Sequence, residues 1–319
     1  MPFKRQISPK QAAQALDVSE ASVKRWCDRG LMAPSVTAGG HRRIPVSEVL
    51  RFVRARGADL VRPEVLGLPS TTGTGHLAFE RAGEEAFSAL RDGDEDRFRR
   101  LLLNLFLEGR TVAEIGDLVV GPAFARIGTE WQHGSMFVHQ ERRAVETCLR
   151  GVFALDAAAA FPTSRSPLAI GGTLEGDPYV LGSHWCVAAL HEAGWRAESY
   201  GGGLPAAEFA GAVRRRAPRL CWISATSRDL DPAAFAAQAA TVRAAADAVG
   251  ARVVFGGGGL NPAVRAALGD VRVCDDLRQL VAYAAGIHLT VADGGAAAAP
   301  DEASEPAPRR TTRRRRVAT

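Results

Sequence analysis

No uninterrupted apolar run of about 18 residues, the length a membrane-spanning helix needs, occurs in this 319-residue chain. A charged-then-apolar leader is also missing, so the sequence leads to the expectation of a cytoplasmic protein with no membrane partner. Cysteine is sparse. Cys27, Cys148, Cys186, Cys221 and Cys274 are odd in number and form no Cys-x-x-Cys pair, which argues against a disulfide framework or a zinc site. No paired acid and base stand out as a catalytic constellation, and neither an enzyme nor a metal site is expected.

The chain is long enough for two or three domains, and its 46% hydrophobic content is that of a globular protein. Charge is segregated along it. Residues 1–57 carry 11 Lys/Arg against 4 Asp/Glu, residues 309–319 carry 6 Arg and no acid, and the remainder holds 23 bases against 31 acids. Both ends are therefore candidates for phosphate contact, whereas the middle repels nucleic acid.

Residues 1–57 read as a DNA-binding head. Ser8 with Gln11 predicts a capping box, Pro9 suits the first helical position, and Ser19 predicts the cap of a second helix ending near Asp28. The tight interval between them is of the helix-turn-helix kind. Val18, Val23 and Trp26 are the expected apolar side. Ser19, Ser22, Lys24 and Arg25 are then left to face duplex DNA, and Gly30 to end the helix. A ribbon follows whose tip, Gly39-Gly40-His41-Arg42-Arg43, would carry His41, Arg42 and Arg43 toward the backbone or minor groove. The Gly-Gly-His-Arg-Arg-Ile string resembles the winged helix-turn-helix of MerR and excisionase-like regulators.

Residues 58–75 end in a Gly/Ser/Thr/Pro run and read as a flexible hinge. Residues 76–162 show helical periodicity punctuated by Gly93-Asp94, a capping box at Thr111 and Glu114, Pro122 and Gly134, which predicts a bundle of four or five helices. From residue 167 to 290, apolar runs alternate with helical ones. The runs Leu168–Gly172, Arg196–Tyr200, Arg219–Ser224, Arg252–Gly256 and Val271–Cys274 predict a Rossmann-like, five-stranded parallel βα sheet. The fold class is thus multidomain, α plus α/β. Residues 291–319, rich in Ala, acids, Pro and then Arg, read as a disordered basic tail.

Small-residue loops end three of the predicted strands, which suits a shared ligand crevice, although tight βα turns need such residues in any case. Asp177, Gly182 after Tyr179, then 41 residues to Ser224, with Thr226 and the pair Gly256-Gly257 further on, is similar to the signature of the cobalamin-binding domain. In that family the position of Tyr179 is a histidine that ligates cobalt from below. Trp131, followed after nine residues by Glu141-Arg142, resembles the Trp, nine residues, Glu-His of cobalamin-dependent photoreceptor regulators of the MerR class. There the Trp covers the upper ligand and the His can replace it; Arg142 stands at the His position here. His139, three residues earlier on nearly the same helix face, is either a substitute or a solvated side chain. Trp131 is either core or ligand cover. Arg142, if it faces the crevice, suits a carboxylate or phosphate. Tyr179, a poorer metal donor than imidazole, is left either to plug the tunnel of the dimethylbenzimidazole tail or to stack on a flat ligand.

The sequence thus implies a DNA-binding regulator of the MerR class, paired as a dimer or tetramer, with double-stranded DNA as partner and a small-molecule effector. Cobalamin in an atypical mode, another tetrapyrrole and no cofactor at all remain three distinct outcomes. A ligand-independent regulator, and a corrinoid methyltransferase or mutase subunit, are the alternatives.

Overall fold

The computed structural model describes residues 6–37, 40–56, 58–68, 72, 79–159 and 162–292. Its first elements form where local chemistry directs them. Ser8 accepts from the Gln11 amide and the Gln11 side chain accepts from the Ser8 amide, starting α1 (Pro9–Leu16). Ser19 accepts from the Ser22 amide and starts α2 (Glu20–Asp28), which ends before Gly30 at a left-handed φ of 70°. A three-stranded antiparallel ribbon, β1 (Gln6–Ile7), β3 (Arg42–Pro45) and β2 (Ser35–Val36), leads into α3 (Val46–Arg56). Ile7, Ala12, Leu16, Val23, Ile44 and Leu50 are buried between these elements, and Trp26 lies 4.5 Å from Phe52, ring centre to ring centre. Val18, expected on the apolar side, is instead 37% exposed, because Asp17 adopts a left-handed conformation that turns the chain outward before α2.

The stretch read as a flexible hinge is packed in its first half. Pro63–Leu66 form a 3-10 turn against α1, and Leu60, Leu66 and Leu68 are buried. Its leucines outweigh its turn residues. Residues 69–71 and 73–78 lie outside the described residues.

The bundle comprises α4 (Phe79–Asp92), α5 (Glu95–Leu107), α6 (Val112–Ile115), α7 (Gly121–Gln132) and α8 (Val138–Ala158). The reciprocal Thr111–Glu114 cap starts α6. Between α6 and α7 the chain widens into a π-helical segment, Gly116–Val120, a distortion often found where a helix serves a site. The head is not hinged away from this bundle: one continuous hydrophobic core runs from Ile7 through Phe52, Phe98 and Leu105 to Ala159 and on to Trp185.

Four parallel strands follow: β4 (Leu168–Gly172), β5 (Arg196–Ser199), β6 (Leu220–Ser224) and β7 (Arg252–Gly256), in the order β5-β4-β6-β7. Alternation along β6 sends Cys221 and Ile223 to the face covered by α10 (Ala206–Arg216), α11 (Pro232–Ala248) and α12 (Pro262–Leu268). Leu220 and Trp222 go to the face covered by α9 (Leu181–Glu192) and α13 (Leu277–Ala292). Helices on both faces explain why β4 and β6 are buried along their whole length.

The expected fifth strand is reduced to one bridge between Phe255 and Val273, with the Phe255 amide on Arg272 O and the Cys274 amide on Phe255 O. Pairing stops there because Asp275 and Asp276 turn to α13, where Asp276 accepts from the Gln279 amide. The helix after Asp177 begins at Leu181, two residues before Ser183, so Gly182 lies in its first turn.

Candidate functional site

Strand order reverses between β4 and β6, and at such a switch point the strand ends and helix starts open a crevice. A cavity of about 420 Å³ lies here. Its floor is Trp222, Ser224, Thr226 and the Gly256–Gly258 turn; its walls are Leu181, Gly182, Trp185 and Cys186 of α9 and Leu277 and Leu280 of α13. The bundle closes it with Gly116, Asp117, Val120, Gly121 and Phe124, so it belongs to both modules. Among the described residues that line it there is no Lys, Arg or His.

Each wall has a physical cause. A Cβ on Gly116 would lie 2.5 Å from the end of the Leu277 side chain and 3.0 Å from Trp185, so a larger residue would require both to shift where the π segment meets α13 and α9. Asp117 accepts from the Leu277 and Arg278 amides at 3.0 and 3.1 Å and from Arg278 Nε at 3.1 Å. A carboxylate at a helix N-terminus is the stabilising arrangement there, and it clasps bundle to sheet. Ser183 and Ser224 share a buried hydrogen bond of 3.2 Å. Burial pushes the Cys186 thiol up to about 12, with Ser224 opposing, so it is neither nucleophile nor ready metal ligand at neutral pH.

The glycine turn after β7 has a packing role. A Cβ on Gly257, at φ 108°, would meet Ala225 O at 2.2 Å, and one on Gly259 would meet Ser227 O at 2.3 Å. The two strand-end loops lie backbone to backbone, with the Ala225 amide on Gly256 O at 2.7 Å.

Asp177 is fully buried beneath these loops rather than facing the cavity. One carboxylate oxygen accepts from the Tyr179 amide at 3.2 Å, the other from the Thr226 amide and, at 3.2 Å, the Ser227 amide. It therefore staples the loop after β4 to the loop after β6. Tyr179 is 43% exposed and is not among the residues that line the cavity.

The structure thus brings Gly182, Ser224, Thr226, Gly256 and Gly257 together and leaves Trp131, His139, Glu141 and Arg142 out of the cavity lining. Trp131 is exposed, not core; His139 is exposed and stacks on Phe137; Arg142 is solvent-facing, with Glu141 3.7 Å away. Phe137, Val138 and Phe153 are likewise exposed on α8 and its cap. Trp185, Trp222, Phe124, Asp117 and Leu277 were missed from the sequence. Trp222 had a local mark, its place beside Ser224 on an alternating strand; the others come from separate elements.

In the head, Lys24 pairs with Glu20 at 2.9 Å along α2, and Arg42 reaches Asp28 at 2.7 Å, fastening the ribbon to the end of α2. Arg42 is a brace in the free protein. Ser19 and Ser22 hydroxyls lie 2.9 Å apart, with Arg25 Nη2 3.4 Å from Ser22; His41 is exposed and Arg43 partly so.

Residues 7–57 match the family model of a helix-turn-helix domain, and residues 83–156 that of a B12 binding domain. The fold of the monomethylamine corrinoid protein of Methanosarcina barkeri superposes with a TM-score of 0.54 at 14% identity, covering 67% of this chain and 100% of that one. The chain carries a DNA-binding head and a B12-binding-type module. This module is also similar, at TM-scores of 0.34 and 0.33, to the methanol:cobalamin methyltransferase complex MtaBC of M. barkeri (18% identity; 67% and 86% of the two chains) and a cobalamin-binding protein of Desulfitobacterium hafniense (15%; 63% and 96%). Comparison with the curated proteins gives no match. Among the described residues, no group of three or more His, Cys, Asp and Glu could hold a metal ion, and no helix is long and apolar enough to cross a membrane.

Proposed function

We propose that the chain is a MerR-type DNA-binding transcription regulator in which a small apolar effector, held in the bundle–sheet crevice, sets the affinity of the head for DNA. One observation carries this reading. The helix α9 lines the crevice with its first residues and ends at Glu192, whose carboxylate accepts from Arg54 of the head at 2.6 Å and from the Val112 amide at 2.7 Å. Arg54 also donates to Gly109 O at 2.9 Å and lies over the Phe106 ring at 4.6 Å. Effector and head thus hold opposite ends of one rod about 18 Å long. A ligand favouring one placement of α9 biases the placement of the head.

The residues present do not fit a corrinoid ligated from below by the protein. Tyr179 replaces the histidine, both Asp177 oxygens are committed to backbone amides, and Arg142 and His139 stand in solvent. The cavity suits an uncharged, largely apolar ligand, since its described lining offers no cation to a phosphate or carboxylate and its aspartates, Asp117, Asp275 and Asp276, are each paired with an arginine. The same mismatch disfavours a corrinoid methyltransferase subunit. A single small head buries a modest interface on DNA, so heads pair on repeated half-sites.

The test is uptake in the dark of hydroxocobalamin, haem, biliverdin and the neutral fluorophore N-phenyl-1-naphthylamine, read by absorbance or fluorescence with native mass alongside. A Cβ on Gly182 points between Thr226 and Ser224, each about 4 Å away, so Gly182→Leu fills the crevice without a clash at its root. Uptake by the wild type that this variant lacks is the expected result. A wild type that takes up none of the four refutes the sensor reading and leaves the module as an oligomerisation and docking surface.

A further inference from the structure

The edge of the sheet opposite the crevice carries a different surface. Leu168 of β4 is in register with Arg196 of β5, and Leu220 of β6 with Arg252 of β7. The Arg196 amide bonds to Pro167 O, the Arg219 amide to Leu168 O and the Arg252 amide to Arg219 O, so these three arginines stand in one row across the amino ends of the strands. With strands about 4.8 Å apart, the row is about 15 Å long, the axial length of four to five base pairs. Arg214, Arg215 and Arg216 lead into the same edge from the end of α10.

The pairing pattern sets this row apart from ordinary surface charge. Glu198 takes Arg216 at 2.7 Å and Arg196 at 4.0 Å, which accounts for those two. Arg214, Arg215, Arg219 and Arg252 are exposed and have no ion pair with a described residue. Basic residues ending a helix complement its dipole, which explains Arg214 and Arg215 in part. Arg219 immediately precedes β6 and Arg252 opens β7, and neither ends a helix. Of the acids near this end, Asp247 is exposed in the last turn of α11 and Asp270 in the bend before the Val273 bridge, while Glu192 is taken by Arg54.

Placement supplies the partner. The head is clasped to Glu192, the last residue of α9, four residues before Arg196, so the head and the arginine row occupy the same end of the molecule. The middle of the chain is acidic overall, yet folding gathers unpaired arginines next to the basic head and leaves the cation-free crevice at the other end.

We propose that the amino edge of the sheet, through Arg214, Arg215, Arg219 and Arg252, is a second, sequence-blind contact for the phosphates of duplex DNA flanking the site held by the head. The inference rests on the head being the DNA-binding element, and the test separates the two. Affinity of the full chain is measured by fluorescence anisotropy across a salt series on a 16-base-pair and a 40-base-pair duplex selected from a random pool. The variants are Arg219→Ala/Arg252→Ala, Arg214→Ala/Arg215→Ala and, for the head, Lys24→Ala/Arg25→Ala. Each lost phosphate contact lowers the salt slope by about 0.9. On the long duplex each edge variant is expected to lose about one to two from the slope and several-fold in affinity, with no change on the short one. The head variant is expected to weaken binding to both. Edge variants that match the wild type on the long duplex overturn the inference while leaving the head reading intact. An edge loss with an unaffected head variant overturns the head reading instead. Equal edge losses on both duplexes also overturn the flanking contact.

Discussion

Removing the Asp177 carboxylate tests whether this residue is a loop staple. Three backbone amides, those of Tyr179, Thr226 and Ser227, point at its two oxygens, and the side chain is fully buried. A hydrogen bond to a charged group contributes about 1.5–3 kcal/mol, and a buried amide left without a partner costs about 1–3 kcal/mol. The three bonds share one carboxylate, so their effects do not add. Asp177→Ala is therefore expected to cost about 3–5 kcal/mol. Asp177→Asn keeps one acceptor, but its amide group must face either the Tyr179 amide or the Thr226 and Ser227 pair, and about 2 kcal/mol is expected. Urea unfolding followed by circular dichroism gives the free energies, and hydrogen exchange at the three amides locates the change. Exchange that speeds up at all three in the alanine variant supports the staple. An alanine variant within 1 kcal/mol of the wild type, with exchange unchanged, refutes it.

Gly171 faces Trp222 across the β4–β6 pair, and a Cβ there would lie 2.0 Å from the indole. Since Trp222 is 2% exposed and cannot swing out, Gly171→Ala should cost about 3 kcal/mol or prevent folding. Adding Trp222→Leu should return part of that loss in a double-mutant cycle. Burial pushes the His184 imidazole below its ordinary 6.5, with Asp156 opposing. A lowered folded pKa means that the unfolded chain binds the proton more readily, so this contribution is complete above 6.5 and is lost as pH falls through the folded pKa. Stability should drop below pH 6.5 in the wild type and less steeply in His184→Gln, read from urea midpoints. Arg42→Ala cuts the brace to Asp28; as an exposed pair it should cost no more than about 1 kcal/mol, while loosening the ribbon enough to raise hydrogen exchange at Val36.

What the sequence showed was what short-range chemistry decides. The Ser8–Gln11 and Thr111–Glu114 boxes and the Ser19 cap each depend on four consecutive residues, and the structure contains all three. The continuous apolar run Leu220-Cys221-Trp222-Ile223 likewise identified a strand, and both faces of β6 are buried. The cavity was only half legible, because Gly182, Ser224 and Gly256 carry a spacing, whereas Asp117, Trp185 and Leu277 meet only through the docking of bundle on sheet. Asp177 was visible as a site residue, but nothing near it in the chain tells that its acceptors turn to residues 226 and 227. The packed first half of the expected hinge escaped for a related reason: Leu60, Leu66 and Leu68 find their partners across the fold, and turn-forming neighbours masked them.

The account holds that an occupied crevice changes the grip of the head on DNA through α9. The most direct measurement is anisotropy of a labelled duplex, selected by the chain from a random pool, with and without saturating N-phenyl-1-naphthylamine, for the wild type and Glu192→Gln. The variant keeps an acceptor for the Val112 amide but loses the ion pair with Arg54. The account predicts that the bound fluorophore shifts the DNA Kd of the wild type at least threefold, and that the variant binds the fluorophore equally well with most of the shift gone. An occupied crevice that leaves the DNA Kd of the wild type unchanged would contradict it.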